Sequence, residues 1–149
     1  MLITQKTRYG LRAVFELAKH MGEAPMKIGE IAQVQAIPPR FLEAILRDLK
    51  QAGIVASRRG SQGGYALVRS PQELTVLDVI EVLQGPVNPM ACTPGDGVGD
   101  TVCEFYGSCA FLSMWQEMRD AIRHIYEKTS FQGLVEKDQQ QEKSGHYII

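Results

Sequence analysis

A mainly α chain with one small β-hairpin is the fold class that this sequence predicts, and three observations carry it. Apolar residues recur at helical spacing in three short segments before residue 53. Two β-type runs, IVAS and GGYALV, then flank the turn RRGSQG, and a long amphipathic stretch follows a cysteine-containing loop. Three short helices followed by a hairpin make a winged helix-turn-helix, to which the long stretch adds a dimerisation helix.

The first helix is expected from Arg8 to His20, with Leu11, Val14, Phe15 and Ala18 on one face and Arg8, Arg12, Glu16 and Lys19 on another; Gly22 and Pro25 end it. The second is IGEIAQV, residues 28 to 34. Pro38 and Pro39 suit the first turn of the third, where a missing backbone donor costs nothing. Its buried stripe is expected to be Phe41, Leu42, Ile45, Leu46 and Leu49, leaving Arg40, Glu43, Arg47 and Lys50 outside before Gly53 stops it. Thr75 and Asp78 stand at the spacing of a helix N-cap and its third position, which starts a fourth helix closed by Gly85 and Pro86.

Beyond Cys109, the residues Phe111, Leu112, Trp115, Met118, Ile122, Ile125 and Tyr126 recur at three and four. Such a broad apolar face must be covered, and a two-fold partner supplies cover economically. Three regions result: residues 1–72, a winged helix-turn-helix; 73–130, a linker helix, cysteine loop and dimerisation helix; and 131–149, whose polar composition reads as a flexible tail. No run of about eighteen apolar residues and no signal-peptide pattern is present, so a cytoplasmic protein that makes no use of a membrane is expected.

Net charge is only -1, but its distribution is uneven. Residues 1–70 hold 11 of the 16 Lys and Arg and 5 of the 17 Asp and Glu, near +6 (11 minus 5), against near -7 (5 minus 12) for the remainder. A basic half implies a polyanionic partner. In a winged helix the third helix enters the major groove of double-stranded DNA while a cationic hairpin tip reaches the minor groove, which points to Arg40, Glu43 and Arg47 on the helix and to Arg58, Arg59 and Gly60 at the tip. No nucleophile-base arrangement, P-loop or zinc hydrolase motif occurs, and GDGVGD lacks the strand and helix of a dinucleotide fingerprint, so an enzyme is not expected.

All three cysteines, Cys92, Cys103 and Cys109, fall in CTPGDGVGDTVCEFYGSC. An odd number in a reducing compartment argues against a disulfide framework. Thiolates are the natural ligands of iron-sulfur clusters. A structural zinc, a thiol redox switch and an inert loop are the alternatives, and the zinc reading lacks a CxxC pair or a histidine at ligand spacing.

The segments MLITQKTRYGLRAV, IGEIA, IPPRFLEAILRDLKQAGIV, SRRGSQGGYAL and LTVLDVIEVLQG, with the cysteine loop, together resemble the Rrf2 family of bacterial winged-helix regulators, in particular its IscR- and NsrR-like iron-sulfur branch. The resemblance implies a homodimeric transcription factor on a palindromic operator, carrying an iron-sulfur cluster, of the 2Fe-2S type, on Cys92, Cys103 and Cys109. It further implies Arg59 in the minor groove, Arg40 and Glu43 at base edges, and the region of Arg8 near the phosphate backbone. Two departures stand out: ten residues separate Cys92 from Cys103, more than in the relatives, and Leu112 and Arg8 occupy the positions where the two branches place their histidine and aspartate ligands. The fourth ligand is therefore open, with Glu104, Glu16, His20 and His124 as candidates. The other reading is a cluster-free regulator controlled by a thiol switch, a small molecule or a protein partner.

Overall fold

A computed structural model describes residues 3–90 and 103–145. Within them the chain runs α1 (Gln5–Lys19), α2 (Ile28–Gln35), α3 (Pro39–Gln51), β1 (Val55–Arg58), β2 (Gly64–Leu67), α4 (Val76–Gln84), α5 (Leu112–Lys128) and α6 (Phe131–Ser144). Helix α1 begins three residues earlier than its apolar period suggests. The Thr4 hydroxyl accepts from the Thr7 amide at 3.2 Å and so caps the first turn. At the start of α2 the Glu30 carboxylate accepts from the Lys27 amide at 2.9 Å, and α3 opens on Pro38 and Pro39 as expected.

The core joins one face each of α1, α3 and α4. Ala13, Val14 and Leu17 meet Leu42, Ile45, Leu46 and Leu49, all buried. Helix α1 approaches α4 closely at Gly10, where a Cβ would lie 2.1 Å from the Leu83 Cδ1. Phe41, expected in the buried stripe of α3, is instead 49% exposed. It sits at the edge of the stripe, beside Tyr9 with ring centroids 6.4 Å apart.

The hairpin pairs antiparallel with Val55 opposite Leu67 and Arg58 opposite Gly64. It is fastened to the head by a third extended segment: Met26 and Tyr65 exchange main-chain hydrogen bonds of 2.9 and 2.7 Å. Gly64 makes this contact possible, because a Cβ there would stand 2.3 Å from the Met26 carbonyl oxygen and its φ is +149°. Gly64→Ala is therefore expected to break the Met26–Tyr65 bridge at a cost of roughly 1–3 kcal/mol. Hydrogen exchange reads it out; a Tyr65 amide as protected in the variant as in the parent would refute the account.

Helix α4 starts with the expected reciprocal cap, the Asp78 amide donating to the Thr75 hydroxyl at 3.2 Å and the Thr75 amide to the Asp78 carboxylate at 2.9 Å. Helix α5 lays Ile122 and Tyr126 against Leu77, Ile80 and Val87. None of its residues is fully buried, and a neighbouring stripe of Phe111, Met114, Met118 and Ile125 is exposed.

The flexible tail expected over 131–149 is a correction. Residues 131 to 144 form α6, which packs on α1 with Phe131 and Val135 buried. Ser130 caps it, its Oγ accepting from the Gly133 amide at 3.1 Å. The Val76 amide donates to the Thr129 carbonyl and the Phe131 amide to the Leu74 carbonyl, at 2.9 and 3.0 Å, so α4 and α6 start side by side. Lys19 and Asp138 form an ion pair at 3.2 Å between α1 and α6. Partial burial alone would lower the Lys19 amine, but the hydrogen bond and charge of Asp138, with Glu16 and Glu142 adding to it, hold it above its ordinary value.

Candidate nucleic-acid interface and cysteine site

The exposed face of α3 carries Arg40, Glu43 and Arg47, spaced so that one turn stacks on the next. Arg58 ends β1, and Arg59 and Gly60 form the tip, Gly60 with φ +105°. Arg8 is exposed on α1. None of the side chains of Arg8, Glu43, Arg47, Arg58 and Arg59 has an ion-pair or hydrogen-bond partner among the described residues, so their donors and acceptors are available to a ligand. Around them the scaffold is tied: Lys6 pairs with Asp48 at 2.6 Å and Lys50 donates to the Ser57 hydroxyl at 2.6 Å, joining α1, α3 and β1.

Sequence reasoning missed the support of Arg40. Its guanidinium lies 5.1 Å from the centre of the Phe41 ring, a cation–π contact that holds the side chain at the first turn of α3. An aromatic residue in phase with a buried stripe reads as core, so no signal in the sequence distinguished it.

The other centre precedes α5. Cys103 and Cys109 are half-buried free thiols; Cys92 lies outside the described residues. The Cys103 carbonyl accepts from the Tyr106 amide at 2.9 Å and the Cys109 carbonyl from the Leu112 amide at 3.2 Å, so the second thiol is fastened to the first turn of α5. Of the candidates for a fourth ligand, Glu104 is exposed within this segment. Glu16 is corrected: its carboxylate is buried in the head, accepts from the Gln35 side-chain amide at 2.7 Å, and faces His20 Nδ1 at 3.4 Å. Glu16 is thus engaged by His20 and by Gln35 of α2, and His20 by Glu16 and Glu23. His124 is exposed on α5, twelve residues beyond Leu112 and so about 18 Å along the axis. Among the described residues no three His, Cys, Asp or Glu side chains converge on a metal position.

A family model described as "Iron-dependent Transcriptional regulator", Rrf2, matches residues 3–137. The chain belongs to the Rrf2 family. Like that family's members of known structure, this Rrf2 protein is mostly helical with one antiparallel hairpin, and it is a transcriptional regulator. It is similar to the HTH-type transcriptional regulator CymR of Bacillus subtilis strain 168, 34% identical over 149 residues that cover 99% of this chain and 100% of that one. The solved structure of that protein, described as the global cysteine regulator, superposes with a TM-score of 0.78 over 92% of this chain and 98% of its own. The solved structure of T. potens IscR, 29% identical, superposes with a TM-score of 0.74 over 93% of this chain and 88% of its own. Among the described residues, no helix of this Rrf2 protein is long and apolar enough to cross a membrane.

Proposed function

We propose that this Rrf2 protein is a homodimer that binds a palindromic operator in double-stranded DNA, and that an iron-sulfur cluster of the 2Fe-2S type on Cys92, Cys103 and Cys109 sets the strength of that binding. The observation that carries the DNA reading is the set of unpartnered charged side chains on α3 and the hairpin tip. Arginine presents a donor fork to guanine or phosphate, and Glu43 accepts from a cytosine amino group. Homodimerisation is supported by the exposed stripe of Phe111, Met114, Met118 and Ile125, too apolar to face water in isolation.

The donor set fits a cluster: soft sulfur ligands, two of them free and half-buried in one short segment. Bound there, a cluster supplies a centre reactive toward oxidants and nitric oxide. The chain's own part is the relay. The Leu112 amide holds the Cys109 carbonyl, so any rearrangement of the cysteines acts on the first turn of α5. Helix α5 packs on α4, and α4 meets α1 at Gly10 and Leu83 beneath the recognition helix. A small shift along that path changes the placement of two heads that a palindrome requires about 34–36 Å apart.

The test is anaerobic purification with a visible spectrum, iron and acid-labile sulfide counted per chain, and operator affinity measured at fixed salt for the loaded and the cluster-free protein. Equal iron and sulfide, both lost in Cys103→Ala, with unequal operator affinities, is the expected result. Protein that stays colourless after reconstitution overturns the cluster. The full-length match to a cysteine regulator favours the second reading in that case, a cluster-free regulator controlled by a thiol switch, small molecule or protein partner.

A further inference from the structure

A cavity of about 390 Å³ opens between α1 and α6, and neither Cys103, Cys109 nor any residue of α3 or the hairpin lines it. Its floor is apolar, made of Leu11, Phe15, Val76, Phe131 and Leu134. Its mouth carries Arg12, Lys137, Asp138 and Gln141. The charges there do not balance. Asp138 is already neutralised by Lys19. The Arg12 Nε donates only to the neutral amide oxygen of Gln35, at 3.4 Å, and Lys137 has no anionic partner among the described residues.

Two uncompensated cations above an apolar floor define a ligand class, and the volume falls within the roughly 300–1,000 Å³ of small-molecule sites. We propose that this cleft binds a small organic carboxylate with an aromatic or branched apolar body, the carboxylate held between Arg12 and Lys137 and the body against Leu11, Phe15 and Leu134. The inference goes beyond the regulator reading and does not depend on the cluster. It also gives the cleft a route to the DNA-reading head. Arg12 is the residue that reaches Gln35 at the end of α2, and Gln35 in turn donates to the buried Glu16. A carboxylate that draws the guanidinium into the cleft therefore loosens the tie between α1 and α2.

The experiment is a ¹⁹F NMR titration of the full chain, without DNA, using 4-fluorobenzoate and its neutral isostere 4-fluorobenzyl alcohol. Saturable binding of the acid, tighter than the alcohol by roughly tenfold, is expected, because a charge-assisted hydrogen bond separates the two. Lys137→Gln should shrink that difference, Arg12 keeping the rest, and leave the alcohol unchanged, and Leu134→Trp, which fills the floor, should abolish both. Equal binding of acid and alcohol, or an acid affinity insensitive to Lys137→Gln, overturns the proposal. So does dissociation of the dimer by Leu134→Trp in sedimentation, which would give the cleft to a second copy of the chain. Operator binding of the parent and of Lys137→Gln is measured in parallel, so a failure of the DNA reading shows in the parent protein and is not confused with a failure of the cleft.

Discussion

Phe131→Ala is expected to lower the free energy of unfolding by roughly 3–5 kcal/mol, the range for removing a fully buried aromatic ring and leaving its cavity behind. The ring is 0% exposed and belongs to the same core as α1 and α4. Its amide bond to Leu74 survives the substitution, so the loss isolates the side chain. Urea denaturation checks it: the midpoint falls while the slope stays constant if the native state keeps its extent. A loss below about 1 kcal/mol would mean that α6 rests on the head without stabilising it. The size of the expected effect is large beside the roughly 5–15 kcal/mol of a whole domain, so residues 131–144 are part of the folding unit.

Arg59→Ala is expected to cost roughly 1–3 kcal/mol of operator binding while leaving binding to random DNA less affected. The side chain stands at the hairpin tip, exposed, with no internal partner among the described residues to release it from. The tip itself is set by backbone: Gly63 donates to the Gly60 carbonyl at 3.0 Å and β2 is pinned to Met26. The variant therefore removes a contact and not a fold. Competition binding over a salt series separates the roles. An equal loss on operator and random DNA, with the salt slope reduced by about one, would make Arg59 a phosphate clamp.

Much of this architecture is legible because it rests on local signals. The 3.6-residue period locates α1 to α5, Pro39 and the Thr75–Asp78 pair mark two starts, and RRGSQG marks the tip. What escaped depends on where distant segments land. The tail EKDQQQEKS is polar enough to read as mobile, yet Phe131, Leu134 and Val135 share one face behind a serine cap. That short stripe becomes a helix only because α1 offers it a surface. Phe41 is in phase with the core, but the edge of α3 that it occupies faces Tyr9 and solvent. The same holds for the candidate sites. Exposed charges on α3 and the tip follow from helical phase, whereas the engagement of Glu16 by Gln35, nineteen residues away, does not.

The paired hydrogen bonds between Leu74–Val76 and Thr129–Phe131 close a circuit in the chain. Between them α4 runs out along α1 and α5 comes back along α4, so the path starts and finishes at one point on the body of the protein. Adding residues to a path closed in this way moves neither of its anchors, and the entropy of closing a loop rises by only about 0.6 kcal/mol per doubling of its length. The two anchors hold α4 and α6 side by side, so chain length added between α4 and α5 is separated from the DNA-reading surface by a closed joint.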